Sequence, residues 1–85
     1  MELFYVYILE HPDGKLYTGH TQNLEQRVLD HNRIDSTRGK YTRKNGPWKL
    51  VWSESHTTRS SAMQRENEIK RWKSSAAIRH HLLKR

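Results

Sequence analysis

The segment Pro12-Asp13-Gly14, set between two short runs of aromatic and aliphatic residues, constrains this chain more than any other feature. Proline presets the backbone of a first turn position and glycine takes a left-handed one, so the three residues spell a hairpin loop. Leu3 to Leu9 is rich in aromatic and β-branched residues and reads as the first strand; Leu16 to His20 reads as its return. Loop length then fixes the register. With three loop residues His11 faces Lys15 and Leu9 faces Tyr17, which puts Tyr7 and Tyr17 on one face of the hairpin. A two-residue Asp-Gly turn would separate them. It would also place Pro12, which lacks an N–H, in the closing pair of the ladder. Phe4, Val6 and Ile8 point one way and Tyr5, Tyr7 and Leu9 the other, so both faces are expected to be at least partly covered.

Asn23 with Gln26 three places on has the form of a capping box, which starts a helix at Leu24. Leu24 and Val28 make its apolar stripe. His31 falls roughly 40° and Arg27 roughly 80° from the middle of that stripe, on the same side. Both sit on the shoulder between core and solvent, where a polar group is held firmly yet still reaches a ligand. Arg33 to Gly46 has no periodicity and reads as a loop. Its cations Arg33, Arg38, Lys40, Arg43 and Lys44 face only Asp35, and Tyr41 is interleaved among them.

Trp48 to Ser55 alternates Trp48, Leu50 and Trp52 against Lys49, Val51 and Ser53, and reads as a third strand. Thr57 or Thr58 caps a second helix running to about Lys73. Ala62, Ile69 and Trp72 form its core face, and Glu66 falls inside that stripe. Ser74 or Ser75 caps a last short helix with Ile78 and Leu82 inward. Residues 1–85 thus read as a single α+β domain of three strands and three helices.

Sixteen basic residues against nine acidic ones leave a net charge of +7 in 85 residues. A charge that high favours a polyanionic partner, nucleic acid ahead of an anionic membrane surface. No stretch is long or apolar enough to span a bilayer. The start, Met1-Glu2-Leu3-Phe4, lacks the basic region and apolar run of a signal peptide, so a cytoplasmic protein is the simplest expectation. Zero cysteines exclude disulfides, thiolate metal sites and thiol nucleophiles. An apolar fraction of 33% implies a thin core, with no large cavity for a small-molecule cofactor.

Glu66 is the sharpest candidate for chemistry. An ordinary helical glutamate pairs with a neighbouring cation, here Arg65, Lys70 or Lys73. One that points into a core stripe needs a buried cation or a metal ion, because an unpaired buried carboxylate is expensive. Tyr7 and Tyr17 taken singly are ordinary strand residues. As a same-face pair beside a basic helix they can orient a water or a phosphate. Arg27 adds a guanidinium, which matches phosphate geometry bidentately. His31 is either a boundary residue satisfied by a backbone carbonyl or part of this group. His11, His20, His56, His80 and His81 lack the spacing of a zinc site and read as surface residues. The basic loop, with Tyr41 and nearby Trp48, suits a groove that tracks a phosphate backbone.

Together these residues resemble the GIY-YIG nuclease superfamily, and in particular its small stand-alone bacterial members. Tyr5-Val6-Tyr7 stands where the family has its first tripeptide and Tyr17-Thr18-Gly19 where it has the second. The likeness continues through Arg27 and His31 to Arg65-Glu66-Asn67, and through residues 40–43 and 50–52. Tyr5 stands in place of the family's glycine and Thr18 in place of an aliphatic residue. No asparagine follows Asn67, although many family nucleases carry a late one.

The resemblance implies a three-stranded antiparallel sheet flanked by helices and a metal-dependent endonuclease. Glu66 would hold one Mg²⁺ (or Mn²⁺), Tyr7 or Tyr17 would position and deprotonate the attacking water, Arg27 would stabilise the phosphate, and His31 would bond Tyr17 or a phosphate. DNA is the implied partner, with RNA as the other polyanion and a second copy of the chain as a candidate subunit. With no DNA-targeting domain legible in residues 1–85, choice by DNA structure or damage, as in DNA repair, is expected. The rival expectation is a non-catalytic nucleic-acid-binding module on the same scaffold.

Overall fold

The computed structural model describes residues 2–32 and 48–84. Strands β1 (Phe4–Glu10), β2 (Leu16–Thr21) and β3 (Lys49–His56) form one sheet in the order β2-β1-β3, antiparallel throughout. Helix α1 (Leu24–Asn32) follows β2, and α2 (Arg59–Arg71) follows β3. A single turn, α3 (Ser75–Ile78), runs on into a π-helical turn, Arg79–Leu83.

The hairpin has the expected register. Leu9 faces Tyr17, Tyr7 faces Gly19, and the His11 N–H donates to the Lys15 carbonyl at 2.9 Å. Gly14 has φ +97°, which only glycine adopts without strain. Asp13 Oδ1 accepts from the Lys15 N–H at 3.0 Å and closes the loop from the side. Arg79 clasps the turn from the far end of the chain, donating to the Gly14 carbonyl and lying 3.5 Å from Glu10 Oε2.

β1 is the central strand, and four consecutive residues, Val6 to Leu9, are at most 1% exposed. On one face Val6 and Ile8 pack with Ala62, Ile69 and Ile78, ringed by Phe4, Leu16, Val51, Trp52, Trp72 and Leu82. α2 covers that face. The other face carries Tyr5, Tyr7 and Leu9 towards α1.

β3 departs from simple alternation. Ile8 pairs with Trp52, but its neighbour Leu9 pairs with Leu50, so Val51 is the extra residue of a β-bulge. The sequence pattern put Trp48, Leu50 and Trp52 on one side. The bulge splits that set, sending Leu50 to the tyrosine face and Trp52 to the core.

Three side chains cap the helices. Asn23 Oδ1 accepts from the Gln26 N–H at 3.0 Å, Thr58 Oγ1 from Ser61 at 3.1 Å, and Ser74 Oγ from Ala77 at 3.2 Å. The capping box on α1 is only half made: the Gln26 amide bonds Asp30, four residues on, instead of the cap backbone. α2 ends where Lys73 takes φ +55°, a left-handed residue that lets the chain turn into α3.

Candidate functional site

The hairpin brings the two phenols together. Tyr7 and Tyr17 lie with ring centroids 6.2 Å apart and planes tilted by 32°, joined by a side-chain hydrogen bond. Gly19 makes this possible. A methyl group there would come within 2.6 Å of the Tyr7 hydroxyl and 2.9 Å of its Cζ, so the phenol lies directly across the β2 backbone. Since β2 is the edge of the described sheet, the Tyr7 hydroxyl is delivered to the rim.

Tyr7 is 1% exposed, while Tyr17 is 41% exposed. Burial pushes the Tyr7 hydroxyl up to about 12, and the neighbouring Tyr17 and the Glu66 charge push the same way, against the Arg27 guanidinium. The hydrogen bond with Tyr17 favours the protonated form of Tyr7, so Tyr7 is the donor of the pair. Ultraviolet absorbance should therefore show one of the four tyrosines ionising well after an ordinary phenol, and Tyr7→Phe should remove that late step. The linked stability is fully present below pH 10, the value of the unfolded chain, and is lost as pH rises towards about 12.

Glu66 is 12% exposed and has both oxygens engaged. His20 Nδ1 bonds Oε1, and Lys70, one turn further along α2, places Nζ 2.5 Å from Oε2. Desolvation pushes the Glu66 carboxyl upward, but the hydrogen bonds and charges of Lys70 and His20 outweigh it and hold the group below the usual carboxylate range. It is a firmly ionised carboxylate. Arg65, another candidate partner, turns away to Glu54 at 3.2 Å and to Glu68 at 2.5 Å.

The expected residues do not all meet on one surface. Pairing of Tyr7 with Gly19 and of Val6 with His20 puts the phenols and the His20 imidazole on opposite faces of the hairpin. Arg27, exposed on α1, shares the tyrosine side. Glu66 comes from α2 on the other side and reaches Tyr7 through its charge. His31 lies one turn beyond Arg27 on α1; its imidazole, like Arg33, Arg38, Lys40, Tyr41, Arg43 and Lys44, falls outside the described residues.

Three histidines read as surface residues are not. His11 is 7% exposed, takes the Asp13 N–H on Nδ1 and packs 5.1 Å from the Trp48 ring. His56 bridges Ser61 Oγ at 2.6 Å and Glu54 at 2.8 Å, tying the start of α2 to β3. His20 holds Glu66. Its signal was present in the strand alternation, which places His20 with Leu16 and Thr18 on the face that α2 must cover.

The profile of the "GIY-YIG catalytic domain" matches residues 3–79. A UPF0213 protein of Natronomonas pharaonis is 48% identical over 66 residues, which is 78% of this chain and 75% of that protein. One from Staphylococcus saprophyticus is 41% identical over 70 residues, 82% of this chain and 83% of its own length. Among solved structures, the solution NMR structure of a UPF0213 protein from Bacillus halodurans has 39% sequence identity and a TM-score of 0.50. The match covers 81% of this chain and 71% of that one. A profile spanning nearly the whole chain, on a sheet that joins the two tripeptide tyrosines across Gly19, makes this protein a member of the GIY-YIG family of nuclease-type domains.

Proposed function

We propose that the chain is a divalent-metal-dependent endonuclease that hydrolyses phosphodiester bonds in DNA, directed by DNA structure or damage. The observation that carries this reading is the phenol pair, Tyr7 and Tyr17 with ring centroids 6.2 Å apart across Gly19, with the largely buried carboxylate of Glu66 on the other side of the sheet. One hard, ionised carboxylate suits Mg²⁺ or Mn²⁺, which keep several waters and draw further ligands from phosphate. Bound at Glu66, such an ion would supply charge stabilisation at a phosphate oxygen.

The remaining work falls to side chains. Tyr7 stays protonated and donates to Tyr17, leaving the Tyr17 oxygen as the acceptor that aligns the attacking water. Tyr17 takes the proton of that water as its own phenolic proton passes to solvent; the water oxygen bonds phosphorus, the ester P–O bond breaks, and solvent protonates the leaving oxygen. Arg27 offsets the extra charge on the phosphate. By the family resemblance, His31 would serve Tyr17 or a phosphate oxygen, and the basic run from Arg33 to Lys44 would supply charge for the DNA backbone.

Labelled DNA and RNA structures incubated with Mg²⁺ or EDTA test this directly. Metal-dependent cutting that vanishes in Glu66→Ala supports it. Tyr17→Phe should slow cutting by about a hundredfold. Because that ring is 41% exposed, Tm should stay within a few degrees of wild type. The Lys70–Glu66 ion pair favours a second reading, a nucleic-acid-binding module whose carboxylate is satisfied without metal. Tight binding with no cutting of any structure would establish that instead.

A further inference from the structure

His20 is a second Lewis base beside the Glu66 carboxylate. It projects from β2 on the α2 side, 25% exposed, with Nδ1 against Glu66 Oε1. Two Lewis bases aimed at one point hold a proton between them, and a metal ion is the other cation such a pair accepts. Bonds of about 2.0–2.2 Å from each donor would hold nitrogen and oxygen about 3–3.4 Å apart.

Lys70 decides which ion. Its ammonium covers Oε2 and cancels much of the carboxylate charge. Mg²⁺ depends on anionic and water oxygens, so a carboxylate already paired with an ammonium holds it weakly. A neutral imidazole nitrogen adds a donor without adding charge, and it favours transition ions over Mg²⁺. No cluster of three histidine, cysteine, aspartate or glutamate side chains gathers here among the described residues, so water or phosphate oxygens would have to complete the shell.

We propose that His20 Nδ1 and Glu66 Oε1 together form a two-donor site that takes a transition-metal ion such as Mn²⁺ or Zn²⁺ in preference to Mg²⁺. This rests on the reading of Glu66 as the metal carboxylate. His20 then selects the ion as well as orienting the carboxylate.

The test needs no catalysis. Mn²⁺ is titrated into the full chain and followed by electron paramagnetic resonance, with pulsed measurements for nitrogen hyperfine coupling. Wild type is compared with His20→Gln, which keeps a hydrogen-bonding group for Glu66, and with Glu66→Gln. The wild type should bind Mn²⁺ with nitrogen coupling. His20→Gln should lose the coupling and at least about tenfold in affinity, since even outer partners of a ligand carry that much. Glu66→Gln should lose both.

Zn²⁺ followed by nitrogen NMR of the wild-type imidazoles gives a readout that needs no variant, and the His20 Nδ1 signal should move most. Mn²⁺ bound without nitrogen coupling, or with coupling that survives in His20→Gln, overturns the proposal while Glu66 remains a metal carboxylate. Failure of the wild type to bind either ion overturns it too, and the nuclease reading is then judged separately by the cleavage assay.

Discussion

Glu66→Ala should lower Mg²⁺-dependent cleavage by about a hundredfold to a thousandfold, the range for losing one charge-stabilising group at a transition state. Nucleic-acid binding should hold or tighten in the same variant, because one negative charge is gone and the Lys70 ammonium loses the carboxylate that neutralised it. The fold should survive. Alanine is the best helix former, and an ion pair with Lys70, itself 53% exposed, contributes little in water. Steady-state cleavage and fluorescence anisotropy, run on the same preparation with a thermal melt, separate these effects. Cleavage that persists undiminished would place the metal away from Glu66.

In Gly19→Ala the new methyl would sit 2.6 Å from the Tyr7 hydroxyl, and Tyr7 cannot swing into solvent from a position 1% exposed. Either the β2 backbone or the phenol must shift, at a cost of about 1–3 kcal/mol for overpacking. Activity should fall further than stability does. The same displacement moves Tyr17, whose ring carbon lies 3.1 Å from the added atom, and misplacement of a reacting group by about 1 Å costs on the order of a hundredfold. A thermal melt beside the cleavage rate measures both. Unchanged Tm and rate would mean that the phenols do not depend on this crossing.

The hairpin was legible because proline and glycine in a three-residue loop leave one register, and that register joins the tyrosines. Helix starts were legible to within a residue: Asn23 stands alone as the first cap, while Thr58 and Ser74 are each one of two adjacent hydroxyls able to meet the orphan N–H groups. Alternation failed in β3, because a bulge at Val51 leaves no mark in a pattern of apolar residues.

At the site, the helical phase of Glu66 correctly turned it inward, and Lys70 was already among its expected partners. His20 is not visible from spacing along the sequence: 46 residues separate it from Glu66, and only the sheet face brings them together. The opposed faces of Tyr7 and His20 were implicit in the same period of two. The carboxylate was nonetheless expected beside the phenols, although α2 must cover the Val6–Ile8 face.

Tyr17 rides the edge strand β2, and Tyr7 reaches across that strand at Gly19 from the central one, so the pair meets at a rim of the described sheet. A rim is open to both sides, so a polymer can lie across it at mid-length and no terminus has to be threaded or counted. On the proposed reading, such a surface would measure bend, branching or local melting in whatever passes. For the proposed nuclease, it would favour breaks inside a strand over trimming from its ends.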